Sequence, residues 1–475
     1  MARVNTLSAR ALALLMVDWR GTTGPAYLAL ADRIRLLVLD GRIPLGTRLP
    51  AERELASHLG LSRTTVSAAY AELRESGYLE SVRGSGSTAR LPQGGTIELD
   101  PLADAPLDFS KASLPALPAV AQAAQAAVDR LPSFLPDSGF DPFGLLLLRR
   151  AIADRYTERG TPTDPDQLMI TVGAQSAIHL LGRTLLGRGD RAIVESPGYP
   201  HAFDALKAAG ARLVPVSVTT DDGWDVAGLE QAFQRTSPTV AYLMPEFHNP
   251  TGRTMDDATR ARVLELAQRE GTTLIIDETM TGLGLDGQPR PEAFPVAPHV
   301  VIVGSVGKSI WGGLRIGWIR AESELIQRLA RARFASDLGT PILDQLLVAE
   351  LVPGYEELLA GRRAYLRQGR DHLAKRIRQQ LPEWRMPHVE GGIVAWVGLG
   401  APLSSQLALA ARNEGLVIGA GPRFGLDGVF ERFLRIPFGM PPDQIDRGVD
   451  ALATAWQAVT RSNVRLAETE LAHVV

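Results

Sequence analysis

The chain has 475 residues, a net charge of −3 and no cysteine. This length exceeds what a single hydrophobic core organises, so two or three domains are expected. Without cysteine the chain forms no disulfide and offers no thiolate for catalysis or for a zinc or iron–sulfur centre. No apolar run approaches the roughly 20 residues that a bilayer span needs, and the N-terminus shows no cleavable signal pattern. We therefore expect a cytoplasmic protein that does not enter a membrane.

Charge is distributed unevenly along the chain. Residues 1–92 hold 12 Arg, no Lys and 8 Asp or Glu, a net charge of +4, so the remainder must carry −7 to reach the total of −3. A small basic end on a large acidic body indicates that the N-terminal part contacts a polyanion such as DNA. Statistical scatter is the alternative explanation, which charge alone does not exclude.

Residues 1–90 have the pattern of several short helices followed by a hairpin. Apolar residues before position 24 predict a lead-in helix. Three further helices are expected over Ala26–Asp40, Ala51–Leu59 and Arg63–Ser76. Glycines at 41 and 60 end the first two of these, and Ser62 is expected to cap the third. This order is typical of a helix-turn-helix followed by a wing.

The helix predicted from Arg63 to Ser76 has one apolar face and one polar first turn. The apolar residues recur at i, i+3, i+4 and i+7, at Val66, Ala69, Tyr70 and Leu73. Arg63 and the short hydroxyl side chains of Thr64 and Thr65 occupy the first turn instead. Such side chains at a helix start suit base edges and phosphates in a major groove.

The stretch LPAERELASHLGLSRTTVSAAYAELRESGYLESVRGSG, residues 49–86, resembles the winged-helix domain of GntR-type regulators nearly without gaps. The resemblance implies binding to a double-stranded DNA operator. It assigns the DNA contacts to Arg53, Ser62, Arg63, Thr64, Thr65, Arg83 and Gly84. The alternative is that Arg53 and Arg63 are solvated surface arginines on an ordinary helical domain.

Residues 91–107 contain three prolines, two glycines and no helical period, which predicts a linker. From residue 108 onward, strand and helix patterns alternate, so we expect a mainly parallel sheet covered by helices. The predicted strands are Leu168–Val172, Arg191–Glu195, Arg212–Val218, Thr239–Glu246, Thr273–Asp277 and Val300–Gly304. A smaller α+β subdomain is expected over about 345–475. The domain prediction is therefore a winged helix over 1–90, the linker, and an α/β domain over 108–475.

The strand Val300–Val303 is followed by small residues, then by Lys308 and, seven residues later, by Arg315. A primary amine at the mouth of a buried strand can condense with an aldehyde, and a guanidinium can hold a phosphate through two parallel hydrogen bonds. Pyridoxal 5'-phosphate (PLP) is an aldehyde that carries a phosphate. The chain has only four lysines, so few other candidates for an imine exist.

Residues near the ends of neighbouring predicted strands supply the other groups that PLP needs, as expected for ligands of a parallel sheet. Asp277 suits a protonated pyridine nitrogen, Asn249 a phenolate oxygen, and Tyr199 the face of the ring. Arg435 is a candidate for the carboxylate of an amino acid or similar effector. The phosphate is assigned to Ala174, Gln175, Ser305 and Arg315.

Each of these residues also has a simpler interpretation. Asp277 could cap a helix, Asn249 could belong to a plain turn, Arg435 could form a structural ion pair and Lys308 could be solvated. Their order along the chain is what favours a cofactor site, because chance agreement of the whole series is improbable.

This order of motifs resembles that of fold-type I aminotransferases over about 360 residues. With the GntR-like domain in front, the whole chain resembles the MocR/GabR-type transcription regulators. That resemblance implies a homodimer whose large domain holds PLP as an aldimine on Lys308 and senses PLP or an amino compound. Two alternatives stay open: an active aminotransferase that carries a DNA-binding domain, and a DNA-bridging dimer indifferent to PLP.

Two positions depart from the aminotransferase pattern. A tyrosine usually follows the aspartate by two or three places and bonds the phenolate oxygen, but this chain has Thr279 and Met280 there. Phe140 stands where many relatives place a tyrosine near the partner's phosphate. Loss of a bond to the phenolate weakens the tuning of the ring, so we expect sensing with little or no transaminase turnover. Glu278 is a possible compensating residue.

Overall fold

The computed structural model describes residues 6–16, 25–39, 42–82, 86–90, 107–287, 291, 293–426 and 428–472. The N-terminal part forms four helices and a two-stranded antiparallel hairpin. Their bounds are α1 Ala9–Leu15, α2 Ala26–Leu39, α3 Glu52–Leu59, α4 Arg63–Glu75, β1 Leu79–Val82 and β2 Gly86–Ala89. These elements enclose a hydrophobic core of their own. The predicted helix-turn-helix with a wing is confirmed.

The predicted apolar face of α4 is buried in this small core. Val66, Ala69 and Leu73 are fully buried, and the Tyr70 hydroxyl donates to the Pro50 carbonyl at 2.9 Å. Ser62 caps the helix as predicted, since its Oγ accepts from the Thr65 amide at 3.0 Å. The polar first turn of α4 therefore faces away from the core. The wing-tip residues Arg83 and Gly84 and the linker residues 91–106 lie outside the described residues.

The large domain is built on an eight-stranded sheet with the order β4-β11-β10-β9-β8-β5-β6-β7. These strands are β4 Leu168–Val172, β5 Arg191–Ser196, β6 Arg212–Thr219, β7 Gly223–Trp224, β8 Val240–Leu243, β9 Thr273–Asp277, β10 Val300–Ser305 and β11 Ile316–Arg320. The helices around the sheet are α5 Ala119–Arg130, α6 Leu146–Glu158, α7 Gly173–Leu185, α8 Pro200–Ala208, α9 Val226–Thr236, α10 Asp257–Glu270, α11 Ser323–Arg333 and α12 Ile342–Leu351.

The central strands β10, β9, β8, β5 and β6 pair in parallel, so the prediction of a mainly parallel sheet is confirmed. Strand β11 runs antiparallel between β10 and β4, which the sequence did not predict. The strand predicted from Thr239 ends at Leu243, earlier than expected, because the next amide, that of Met244, bonds to the side chain of Glu195 instead of continuing the ladder.

A second, smaller sheet lies beside the first. It has the order β12-β15-β14, with β12 Val394–Gly398, β14 Gly419–Ala420 and β15 Phe433–Pro437. A separate pair joins β3 Leu107–Asp108 to β13 Leu416–Val417. The helices of this part are α13 Tyr355–Gln380, α14 Ser404–Asn413 and α15 Pro442–Ala472. Among the helices in the described part of the chain, none is both long and apolar enough to cross a bilayer.

Candidate functional site

Lys308 lies in the turn after β10, at the carboxyl end of the central strands. Its Nζ donates to the Ala112 carbonyl at 2.6 Å. Burial, and next the positive charge of Arg435, lowers the pKa of Lys308 from 10.5 to about 8, while Asp277 acts in the opposite direction. A larger share of the amine is therefore neutral and nucleophilic near physiological pH than in an exposed lysine.

Asp277 ends β9 and is only 2% exposed. Its Oδ1 accepts from the Thr279 amide at 2.9 Å, and its Oδ2 accepts from the Tyr242 hydroxyl. Burial raises the pKa of this carboxyl. Tyr242 was not predicted; the available signal was a hydroxyl in the apolar strand β8, which pairs directly with β9.

Asn249 and Tyr199 follow β8 and β5, the next two strands in the sheet order. Asn249 is buried, and its Oδ1 has no hydrogen-bond partner. Tyr199 immediately precedes α8, and burial followed by the charge of Asp277 raises its pKa to about 12. The charge of Asp277 thus acts on Tyr199, and the contact of Tyr199 with the face of the ring stays a prediction.

Arg315 and the start of α7 come together at the other end of the site. Arg315 Nη2 donates to the Val172 carbonyl at 3.2 Å, and a Cβ atom on Gly173 would lie only 2.6 Å from it. The first turn of α7, with Ala174 and Gln175, therefore begins beside this guanidinium. A helix N-terminus next to an arginine is suited to a phosphate.

Ser305 lies at the end of β10, where the ladder to β11 brings it opposite Gly317. Its Oγ donates to the Ile316 carbonyl at 2.9 Å and accepts from the Gly307 amide at 3.0 Å. Gln175 donates its Nε2 to the His201 carbonyl at 2.9 Å, while its Oε1 has no partner. Both residues lie in the predicted region, and their contacts to a phosphate stay a prediction.

Replacement of Gly173 by alanine is expected to weaken PLP binding about tenfold or more. The new Cβ displaces the Arg315 guanidinium and removes a charge-assisted hydrogen bond of about 1.5–3 kcal/mol. Gly189→Ala is the matched control, because Gly189 also has a positive φ (92° against 74°) but has open space around it. Titration by fluorescence measures both; equal affinities in the two variants would contradict the role of Arg315.

Arg435 lies in β15 and is 7% exposed. Its Nη2 donates to the Ser110 carbonyl, its Nε has no partner, and its guanidinium lies 4.8 Å from the centre of the Phe424 ring. Burial lowers its pKa to about 10, which still leaves it charged at neutral pH. The carbonyls of Ser110 and Ala112 were not predicted as contacts of the two cations, since a backbone oxygen leaves no signal in residue identity.

Glu278, the possible substitute for the missing tyrosine, contacts Tyr156. Its Oε2 accepts from the Tyr156 hydroxyl at 2.9 Å, and the Trp318 indole donates to that same hydroxyl at 3.1 Å. Glu278 therefore accepts a hydrogen bond from a tyrosine hydroxyl, and its compensation for the missing tyrosine stays a prediction. Phe140 is 68% exposed at the surface.

The predicted DNA-contact residues lie at the start of α4 and on α3. Arg53, Arg63 and Thr64 are exposed. Ser62 Oγ lies 2.7 Å from the Oγ1 atoms of both Thr64 and Thr65, so these hydroxyls also stabilise the helix start. Their contacts to DNA stay a prediction.

Comparison with known families identifies both parts of the chain. Residues 106–452 match the family "Aminotransferase class I and II", and residues 26–88 match "Bacterial regulatory proteins, gntR family". The chain therefore belongs to the aminotransferase class I and II family and carries a GntR-type helix-turn-helix domain. This combination is that of the MocR/GabR-type transcription regulators, and the resemblance drawn from the sequence is confirmed.

Individual relatives share this arrangement. The HTH-type transcriptional regulator TauR of Rhodobacter capsulatus is 30% identical, over 90% of this chain and 96% of its own. The probable rhizopine catabolism regulatory protein MocR of Rhizobium meliloti is 28% identical, over 94% and 97%. Among solved structures, the α-aminoadipate aminotransferase LysN of Thermus thermophilus, complexed with N-(5'-phosphopyridoxyl)-L-leucine, is 28% identical with a TM-score of 0.68, covering 78% of this chain and 96% of LysN.

The class I and II fold and its PLP-complexed neighbours indicate pyridoxal phosphate as the cofactor. The residues present fit this group. The chain offers an amine of lowered pKa, a buried carboxylate and a buried amide whose oxygen has no partner. It also offers an arginine, Arg315, so close to Gly173 at the start of α7 that a Cβ atom there would clash with it. These features lie at the carboxyl ends of β9, β8 and β10 and at the start of α7.

Proposed function

We propose that this protein is a PLP-dependent transcription regulator whose aminotransferase domain binds PLP and an amino compound and thereby changes DNA binding. The observation that carries the proposal is the coexistence, in one chain, of an exposed recognition-helix start and, at the strand ends, an amine of lowered pKa and a buried carboxylate. A regulator of this kind works where the DNA is, so we place it in the cytoplasm.

Within this proposal each residue of the site has a physical task. When bound, PLP supplies an aldehyde and an electron-withdrawing ring. Lys308 holds the cofactor covalently, and Asp277 holds a proton on the ring nitrogen. Asn249 donates its amide to the phenolate oxygen, and Tyr199 covers one face of the ring. Arg435, whose Nε has no partner in the described residues, binds the carboxylate of the amino compound.

Operator binding is expected to depend on Arg63. Arg63→Ala should weaken binding to the preferred fragment about 5- to 150-fold, because one bidentate base contact is worth about 1–3 kcal/mol, and should leave the cofactor absorbance intact. Arg10→Ala, an exposed arginine on α1, removes the same charge as a control. The measurement is fluorescence anisotropy with fragments selected from genomic DNA and with random DNA at matched salt.

Two outcomes would contradict this assignment. If the wild-type protein binds no fragment more tightly than random DNA, it is not a site-specific regulator. If Arg63→Ala keeps full affinity for the selected fragment, the assignment of the recognition helix is wrong. That result alone does not contradict the proposal of a regulator, which would then bind DNA through other residues.

We propose a homodimer as the working form. Several large apolar side chains are exposed on two neighbouring segments, 135–147 and 334–343. They are Leu135, Phe140, Leu146, Leu147, Phe334, Leu338 and Leu343. The two segments touch, since a Cβ atom on Gly339 would lie 2.6 Å from the Asp141 carbonyl oxygen. Exposed apolar side chains on two segments that touch suit a protein interface, and we propose a second copy of this chain as the partner.

A charge in this patch is expected to separate the subunits. Leu338→Glu places a carboxylate among apolar neighbours and should convert a sedimentation peak of the dimer mass into one of 51.2 kDa. Glu324→Gln, a surface change near the start of α11, is the control and should remain dimeric. A wild-type protein that sediments as a monomer at micromolar concentration would contradict the dimer.

An active aminotransferase is the second candidate function, favoured by the full set of Lys308, Asp277, Asn249 and Arg435. The relative "2-aminoadipate transaminase" of Thermus thermophilus, 30% identical over 68% of this chain, makes L-2-aminoadipate with 2-oxoglutarate a suitable first assay. Sustained product formation over many turnovers supports the enzyme. A change in cofactor absorbance without turnover supports the sensor, which the missing tyrosine after Asp277 favours.

A further inference from the structure

Glu195 is a buried carboxylate to which the proposed function gives no task. It lies in β5, four residues before Tyr199, and is 2% exposed. Its Oε1 accepts from the Trp224 indole at 2.8 Å, and its Oε2 accepts from the Met244 amide at 2.9 Å. A buried carboxylate with an N–H donor on each oxygen has one defined orientation, so it ties together the elements that supply those donors.

The bond to Met244 fixes the start of the loop that carries Asn249. Met244 is the first residue after β8, and its amide bonds to Glu195 instead of continuing the ladder. Three residues later Phe247 has a φ of 47°, a left-handed conformation that residues other than glycine rarely adopt. Such a conformation persists only where neighbouring contacts hold it. The loop therefore depends on contacts that lie before Asn249.

His248 makes the next of these contacts, one residue before Asn249, and its ring is fully buried. Its Nδ1 lies 2.9 Å from Thr251 Oγ1, and its Nε2 lies 3.3 Å from Glu195 Oε2. Among the described residues Nε2 has no aligned hydrogen bond, so this second contact is electrostatic. The Trp224 ring packs against the imidazole in a T-shaped contact, with 5.7 Å between the ring centres. Glu195 and its donor Trp224 therefore both touch the imidazole.

The backbone turn that contains Asn249 is closed at His248. The His248 amide donates to the Arg253 carbonyl at 2.8 Å, and the Gly252 amide donates to the His248 carbonyl at 2.6 Å. Asn249 lies inside this turn and is 4% exposed. A shift of His248 must therefore also shift the Asn249 amide.

Glu195 also lies at the turn that leads to Tyr199. A Cβ atom on Gly198 would lie 2.4 Å from the Glu195 carbonyl oxygen, so the chain folds tightly back on itself directly after β5. The negative charge of Glu195 reaches the site as well. Burial raises the pKa of Asp277, and the charge of Glu195 adds a smaller effect in the same direction. One residue thus lies behind both positions that are assigned to the cofactor ring.

We propose that Glu195 and His248 are positioning residues of the cofactor site, and that they hold the Asn249 amide where it donates to the ring oxygen of PLP. The proposal rests on the proposed function, because it requires PLP at Lys308. A well-placed N–H donor stabilises the ionised ring oxygen. Loss of that placement should therefore raise the pH midpoint at which the visible absorbance of the bound cofactor changes. Loss of the Glu195 charge alone should lower this midpoint, because a nearby negative charge favours the protonated cofactor.

A double-mutant cycle on this midpoint tests the proposal. In Glu195→Gln one of the two N–H donors meets an amide nitrogen that cannot accept, so the loop loses a contact. We expect the midpoint to rise by about one pH unit in Glu195→Gln and by about one to two pH units in Asn249→Ala. In the Asn249→Ala background Glu195→Gln should raise it no further, because Glu195 acts through that amide.

Glu246→Gln is the matched control. Glu246 is 3% exposed and belongs to the same loop, but its Oε1 lies 3.5 Å from Arg260 Nη2. This variant should keep the wild-type midpoint. An unchanged or lower midpoint in Glu195→Gln, or an equal rise with and without Asn249, would overturn the proposal.

Trp224→Phe provides a second variant if Glu195→Gln does not fold. It leaves the carboxylate in place and removes only the indole donor to Oε1. The midpoint should rise in the same direction by a smaller amount. A midpoint equal to that of the wild type in a folded Trp224→Phe protein would then count against the positioning role and overturn it.

Hydrogen–deuterium exchange of the full-length protein without PLP separates this proposal from the proposed function. Glu195→Gln should speed exchange severalfold in peptides covering 244–254, while Glu414→Gln, which changes an exposed carboxylate after α14, should not. Unchanged exchange in Glu195→Gln would show that Glu195 does not hold the loop. If the wild type shows no visible absorbance with PLP, the proposed function fails and the role toward a cofactor with it, whatever the exchange shows.

Discussion

Replacement of Lys308 by alanine is expected to abolish covalent attachment of PLP to the chain. The other lysines are exposed, whereas Lys308 is half-buried after β10, has its pKa lowered to about 8, and donates its amine to the Ala112 carbonyl. After borohydride reduction, intact-protein mass spectrometry should show one added pyridoxyl phosphate per wild-type chain and none in Lys308→Ala. The visible absorbance of the bound cofactor should also be absent in Lys308→Ala.

Lys375→Ala is the control, because Lys375 is an exposed lysine on α13. This variant should retain the mass increment. A stoichiometric increment in Lys308→Ala at low PLP excess would show that another amine carries the cofactor, and the assignment of Lys308 would be wrong.

The pH dependence of attachment follows from the same amine. Only the neutral amine is a nucleophile, so the attachment rate should rise with pH and level off above about 8, where Lys308 loses its proton. An ordinary lysine with a pKa of 10.5 would be only about 0.3% neutral at pH 8, so its rate would still increase past pH 10. A stopped-flow absorbance series between pH 6 and 10 distinguishes the two.

The positions of the candidate cofactor residues were predictable because the strands before them have local sequence patterns. The β-branched run at 300–303 and the strand Thr273–Asp277 are apolar throughout, as strands buried on both faces require. In a parallel sheet the residues that follow such strands meet at one edge. Asp277 and Lys308 could therefore be placed together without knowledge of any long-range contact.

Strand β11 and the contact of Tyr242 could not be predicted by this reasoning. The sequence of β11, Ile316–Arg320, mixes Gly317, Trp318 and a charged residue, so it has neither the alternation nor the apolar run of a strand. Its pairing with β4 joins residues almost 150 positions apart. The Tyr242–Asp277 bond likewise depends on the neighbourhood of β8 and β9, which only the assembled sheet determines.

Arg33 of α2 forms an ion pair with Glu431, with 2.9 Å between Nη1 and Oε1, and this contact was unpredictable for a related reason. Within α2 an arginine among apolar residues is typical of a solvated face, and nothing local distinguishes it from Arg35. Its role is set by a surface 398 positions away in the chain. An ion pair between residues so far apart in the sequence becomes visible only in the folded chain.

Asp277→Asn is expected to weaken PLP binding about 10- to 150-fold. The variant keeps the size of the side chain and one accepting oxygen but removes the charge that pairs with a protonated ring nitrogen, an interaction of about 1.5–3 kcal/mol. Because burial raises the pKa of Asp277, ionisation of this carboxyl is unfavourable in the fold and needs such a counter-charge. Affinity is measured by the fluorescence change on PLP titration.

Tyr242→Phe is expected to weaken PLP binding less than Asp277→Asn does. It keeps the carboxylate and removes only the hydroxyl that donates to Asp277 Oδ2. A single neutral donor contributes about 0.5–1.5 kcal/mol, so the loss should be about 2- to 12-fold. Thermal unfolding without PLP separates binding from folding: Asp277→Asn removes a buried ionisable group and should not lower the melting temperature. If Asp277→Asn bound PLP as tightly as wild type, the carboxylate would not face the ring nitrogen, and Tyr242 would have no part in positioning it.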